Sequence, residues 1–186
     1  MFARSRNGQS PKLQLTGSGS RGVHESHRGR INGACNGSAT VVRRITDQYR
    51  ADWQRLGRER QDLPLVGMSR HIVVADSDTE VYEEARTAYE QWFANLNLLW
   101  SQGGVPIPLN SPSDFDDAVN AGFCVVGSPS TVRDRLLPQV EEAGINYLLG
   151  RLAFGNLALE RSLRSVQLLE EEVLPALAGV GALPHS

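Results

Sequence analysis

Lysine is almost missing from this chain: Lys12 is the only one, against 18 arginines. A bias this complete follows codon composition and carries no argument for nucleic-acid binding. Cysteine is scarce too. Cys35 and Cys124 lie far apart, and Cys124 sits in an apolar run. That pattern excludes a disulfide framework and a CxxC metal or redox site, and it fits a reducing, cytoplasmic setting. No apolar stretch approaches the ~18 residues of a membrane span. The basic N-terminus lacks the apolar segment of a secretory signal, so Asn36-Gly37-Ser38 has no meaning as a glycosylation site. No P-loop, nucleophile–base pair or metal-ligand cluster is visible.

Acid is also missing from one end. Met1 to Arg44 holds eight basic residues and one acid, Glu25, for a net +7, while Ile45 to Ser186 carries a net −9. Residues 1–40 are rich in Gly, Ser, Arg and Asn and show no sustained period of 2 or 3.6. Too little apolar surface is available there to offset the entropy of ordering, so the expectation is a disordered leader. His24 and His27 within it do not make a metal site by themselves.

From residue 41 to 178 the pattern is that of an α/β unit, followed by a flexible tail, 179–186. Val41, Val42, Ile45, Tyr49, Trp53 and Leu56 recur at helical spacing, with Gly57 as a stop. His71 to Ala75 is a buried strand, which places His71 at its beginning. Asp76-Ser77-Asp78-Thr79-Glu80 lacks the glycine and distal glutamate of a calcium loop and opens a helix instead. Asp76, at the strand's end, either caps that helix or faces a pocket. Val81, Ala85, Ala88, Tyr89, Trp92, Phe93, Leu96 and Leu99 form that helix's inner face. A short helix covers 114–121. Phe123 to Val126 is a strand, and Ser128-Pro129 starts a helix whose interior proline, Pro138, is expected to kink it. Ile145 to Leu149 is a third strand. A last helix is expected to turn Leu159, Leu163, Val166, Leu169 and Val173 inward. Alternating strands and helices predict a parallel sheet, and three strands make a poor domain alone.

The segments "RHIVVADSDTEVYEEARTAYEQW", "GFCVVGSPSTVRDRLLPQVEEAGINYLL" and "LAFGNLALERSLRSVQLLEEEVLPAL", in that order and spacing, resemble the C-terminal part of luciferase-like, flavin-dependent monooxygenases. The resemblance runs from about Arg43 to Leu177. It implies a partial (β/α)8 barrel: the helix before strand six, then His71–Ala75, Phe123–Val126 and Ile145–Leu149 as strands six to eight. Strands one to five have no counterpart. The implied chemistry is oxidation of a small organic substrate by reduced FMN and dioxygen, with a deazaflavin as the alternative cofactor. The expectation is a fragment with little activity that does not retain its flavin. A non-catalytic module completing another chain's barrel through an uncovered sheet edge is the other possibility. Neither membrane nor nucleic acid is an expected partner.

Barrel enzymes bind ligands at the C-terminal ends of their strands. Gly127, Ser128 and Thr131 would lie at such an end, where a helix N-terminus offers free N–H groups to phosphate; the same residues serve equally as an ordinary helix cap. Arg151, after the third strand, suits a phosphate or carboxylate ligand, or a salt bridge to a neighbouring acid. Phe154, next to Gly155, would flank the flavin ring or line the mouth. No catalytic residue is assigned, and His71 is set aside as lying at the wrong end of its strand.

Overall fold

The computed structural model describes residues 33–104 and 111–178. Most of the leader with His24 and His27, residues 105–110 and 179–186, and the side chain of Leu99 lie outside the described residues. The expected disorder does not extend to residue 40: Gly33–Cys35 is a strand, β1, paired in parallel with Val66–Met68. Ser38 caps helix α1, Ala39–Arg55, its side chain accepting from the Val41 N–H. A 3-10 turn, Arg60–Asp62, leads to β2, Val66–Val74. Then come α2 (Asp78–Gln102), α3 (Phe115–Asn120), β3 (Cys124–Gly127), α4 (Pro129–Ala143) and β4 (Tyr147–Arg151). The chain ends in α5 (Leu159–Leu168), a π-turn (Leu169–Val173) and α6 (Leu174–Leu177). Helix α4 runs unbroken through Pro138. Pro175 has the larger effect: it supplies no N–H and crowds the carbonyl four residues back, and the ladder widens into the π-turn just before it.

β2 begins five residues before His71 because "VGMSR" pairs on both of its edges. Gly67 and Met68 pair with β1 and also with β4, and His71 pairs with β3 and also with β4. A strand has two edges, so β1 and β3 follow one another along one of them and β4 takes the other. The order across the sheet is therefore β1, β2, β4, with α1 and α4 as crossovers. This corrects the predicted strand assignment. β3 does not lie between β2 and β4; it belongs to an excursion, α2–α3–β3, that pairs with the C-terminal half of β2.

Side chains alternate along β2 and split the core accordingly. Met68, Ile72 and Val74 pack with Val42, Val132, Leu136, Val140, Leu168, Val173 and Leu177 from α1, α4 and the C-terminal helices. Val73 packs with Val81, Ala85, Ala88, Tyr89, Phe115 and Phe154 on the opposite face. Crossover helices gathered on one face are the outer layer of a barrel wall. The opposite face of β2 is covered by α2 and α3. Each fully buried aliphatic side chain on either face contributes about 1.5–3 kcal/mol.

The last helix overturns part of the expected stripe: Val173 is buried and Leu169 packs against the core as expected, but Leu159, Leu163 and Val166 do not. Within α5 the buried residues are Ser162, Ser165 and Leu168, while Leu159, Leu163 and Val166 are exposed. Leu56 of the first helix is exposed as well. Ser165 faces inward because the Val74 N–H, beyond the end of β4, donates to Ser165 Oγ at 2.7 Å. Ser165→Ala leaves that buried donor without a partner and is expected to lower stability by about 1–3 kcal/mol. An unchanged urea midpoint would show that the bond contributes nothing.

Candidate functional site

The parallel register sets His71 opposite Arg151 on one edge and Cys124 on the other. His71 is the sixth residue of a nine-residue strand, so it sits past the middle of β2, not at its start. Its ring is 1% exposed and is walled by Trp92 (4.2 Å between centroids), Phe154 (4.6 Å) and Tyr89 (5.4 Å). Nε2 has no hydrogen-bond partner. Burial, reinforced by the nearby Arg151 charge, pushes the imidazole down to about 3. His71 is neutral at physiological pH.

Arg151, the last residue of β4, reaches across the same face. Its Nε donates to Ser69 Oγ at 2.9 Å and a terminal nitrogen to Asn36 Oδ1 at 3.4 Å. Asn36 Nδ2 donates in turn to Ser111 Oγ at 2.7 Å. The guanidinium lies 5.5 Å from the centre of the Trp92 ring. Among the described residues no carboxylate forms an ion pair with it. Desolvation holds its pKa below the usual arginine value. A half-buried cation whose partners among the described residues are all neutral thus stands near an unpartnered imidazole nitrogen, and each is costly to bury without a further partner. The salt-bridge alternative for Arg151 therefore falls away among the described residues.

The Gly127-Ser128 turn is a different object. Gly127 has φ +147°, and a Cβ there would lie 2.6 Å from Asp78 Oδ1. The backbone N–H of Ser128 donates to that oxygen at 2.6 Å, and the Thr131 hydroxyl donates to Asp78 Oδ2 at 3.0 Å. Ser128 Oγ accepts from the Thr131 N–H. These hydrogen bonds, the Ser128 backbone first, hold the Asp78 carboxyl below its usual range. One carboxylate thus serves the N-termini of both α2 and α4, where the helix dipoles favour it. The donors a phosphate would use are already engaged by the protein's own anion.

The five predicted residues accordingly form two groups. Gly127, Ser128 and Thr131 stand together at the end of β3. Arg151 and Phe154 stand with His71, about 10 Å away along β2 by strand rise and on its other edge. Asp76 neither caps α2 nor faces the group. Ser77 is the cap residue, and Asp76 pairs with Arg164 at 2.5 Å. Sequence reasoning missed Asn36, Ser69 and Ser111 altogether. The signal available was the alternation Ser69-His71-Val73 along one face of a longer strand.

Elsewhere, Arg70 is fully buried on the outer face. Its Nε donates to Gln139 Oε1 at 2.8 Å, and burial, then Arg151, push it down to about 10. A cleft of about 380 Å³ opens beside it between Ser38, Thr40, Gly122, Gln139 and Glu142. It contains none of the Arg151 group. Among the described residues no helix is long and apolar enough to cross a membrane, and no three acidic, His or Cys side chains gather as a metal site.

The model of the luciferase-like monooxygenase family matches residues 36–147. The uncharacterized protein y4wF of Sinorhizobium fredii is 39% identical over 143 residues, which is 77% of this chain and 42% of that protein. Among solved structures, the monooxygenase RslO1 of Streptomyces bottropensis superposes with a TM-score of 0.65 at 21% identity, covering 83% of this chain and 44% of its own. The oxygenating constituent of 3,6-diketocamphane monooxygenase from Pseudomonas putida, in complex with FMN, gives 0.61 at 18% identity over 86% and 46%. The coenzyme F420-dependent tetrahydromethanopterin reductase of Methanopyrus kandleri gives 0.55 at 14% over 86% and 49%. This chain spans less than half the length of each of these proteins.

Proposed function

The chain belongs to the luciferase-like monooxygenase family, and we propose that it carries one side of a pocket in which a flavin, FMN before a deazaflavin, oxidises a small organic molecule. The observation that supports this is Arg151: a half-buried guanidinium with no ion-paired carboxylate among the described residues, near the unpartnered His71 Nε2. These residues suit a flat ligand with anionic or carbonyl edges. The turn at Gly127, Ser128 and Thr131 does not suit a phosphate, because Asp78 holds its donors.

Arg151 would bind an anionic edge through charge-assisted hydrogen bonds. Ser69 and Asn36 hold its guanidinium in place. Neutral His71 adds no charge of its own there, and Phe154 and Trp92 supply apolar walls that exclude water. A bound flavin supplies the electron transfer to dioxygen, and the protein's contribution is position and dryness. Three adjoining wall strands enclose only part of such a pocket, so the chain alone holds flavin weakly and turns over little.

FMN titration followed by flavin fluorescence tests this. The chain is expected to bind no tighter than roughly 100 μM, and Arg151→Gln to bind about 10-fold more weakly still, as the loss of a charge-assisted bond implies. Equal binding by both forms removes Arg151 from the site. Nanomolar binding by the chain alone contradicts the incomplete pocket.

A further inference from the structure

Arg70 brings a charge into the interior and meets no opposite charge there. Its side chain is fully buried on the outer face of β2, against α4. Nη1 donates to the neighbouring Ser69 carbonyl and Nε to Gln139 Oε1, both at 2.8 Å, while Nη2 has no partner. The Phe123 ring lies 5.8 Å from the guanidinium carbon. Burial, then the Arg151 charge, push the pKa down to about 10, which leaves Arg70 cationic at neutral pH. A buried cation with no carboxylate and an unused donor is costly.

Nε and Nη2 form one edge of the guanidinium, the edge on which a carboxylate sets both of its oxygens. Gln139 holds that edge as the neutral isostere of such a ligand, and its single carbonyl oxygen serves Nε alone. Its Nε2 donates to the Arg135 carbonyl at 3.0 Å. Gly122 makes room for the carboxamide: its φ is +77°, and a Cβ there would lie 2.9 Å from Gln139 Oε1. Gln139 also lines the cleft of about 380 Å³. The carboxamide thus stands between the cleft and the unused Nη2.

The cleft favours negative charge on a second ground. Ser38, Ala39 and Thr40, at the start of α1, form one wall, and the first turn of that helix contains no acid. The leading N–H groups of a helix lack partners within it, and its dipole is positive at that end. Two carboxylates line the cleft as well, and both are engaged. Asp134 pairs with Arg133 at 2.8 Å, and Glu142 accepts from the Thr40 hydroxyl at 2.5 Å. Val119, Val125 and Pro138 add apolar surface.

We infer that this cleft binds a small organic carboxylate with a short aliphatic body, whose two oxygens displace the Gln139 carboxamide and take Nε and Nη2 of Arg70. No member of the Arg151 group lines the cleft, so the inference stands apart from the flavin reading.

The test titrates the full chain with sodium butyrate, against sodium chloride at equal ionic strength and with no flavin present. The Arg70 Nε–H resonance and the melting temperature are followed together. Butyrate is expected to move the resonance saturably and to raise the melting temperature, and chloride to do neither. Gln139→Ala removes the competing carboxamide and should tighten butyrate binding about 10-fold, whereas Gln139→Glu installs a resident carboxylate and should abolish the response. A purely structural Gln139 would not give opposite effects for the two substitutions. Three results overturn the proposal: a wild-type chain that answers butyrate no more than chloride, a Gln139→Glu variant that responds as the wild type does, or a response that survives Arg70→Met.

Discussion

Gly155→Ala is expected to be the most damaging single-methyl addition in this protein. Gly155 has φ +57°, and a Cβ built there runs into the backbone carbonyl of Ala88 in α2. A non-glycine residue in this region costs about 1–2 kcal/mol, and forcing an added methyl into a packed contact costs about 1–3 kcal/mol more. The obstacle is main chain, so no rotamer change relieves it. The whole loop after β4 must lift away from α2, and Phe154 with it. Loss of about 2–5 kcal/mol is therefore expected, together with an opened His71 site. Urea unfolding reads the first effect. Histidine chemical shifts, which sense the Phe154 and Trp92 rings 4.6 and 4.2 Å away, read the second. A variant with wild-type stability and an unmoved His71 resonance would mean that the loop and helix do not meet as closely as described.

The second large effect is with acid. His71 is held near pKa 3 in the fold, against an ordinary value of about 6.5 in the unfolded chain. Between those values the unfolded state binds a proton that the folded state refuses. Stability is then complete above about pH 6.5 and falls as the pH drops toward 3, by at most about 1.4 kcal/mol per unit. Asp76, Asp78 and Asp116 also have lowered carboxyl pKa values and lose their contribution on acidification, but below their unfolded value of 3.8 for the most part. The interval from pH 6.5 to 5 is therefore the diagnostic one. His71→Gln should flatten the curve there by about 2 kcal/mol over the interval. Parallel curves for the two forms would place the His71 ring in water and contradict its packing against Trp92, Phe154 and Tyr89.

The helix over Val81 to Leu96 was legible because its apolar spacing and its burial agree. The turn at Ser128-Pro129 was legible because a cap residue and a proline leave little choice of local conformation. His71 was not. By sequence the strand begins at His71, and only pairing on two edges extends it back to Val66. The ligand at the Ser128 turn was not legible either: Asp78 lies 50 residues away in sequence, and no local pattern announces a carboxylate that reaches a second helix. Nor was the orientation of α5, because a strong apolar stripe predicts burial and gives no information about whether the covering surface is in the same chain.

By itself the sequence determined what depends on neighbours along the chain: the alternation of strands and helices, their parallel arrangement, the caps and the stops, and the family to which the ordered motifs point. Only the tertiary structure decided what depends on register and on which surfaces meet. Pairing with β1 and β4 extended β2 back to Val66, which moved His71 from the beginning of a strand to its interior, opposite Arg151. Long-range hydrogen bonds filled the Ser128 turn and set α5 with its leucines outward. Local propensities act over a few residues, whereas these outcomes rest on contacts between segments 50 to 100 residues apart, whose free energies no short window of sequence contains.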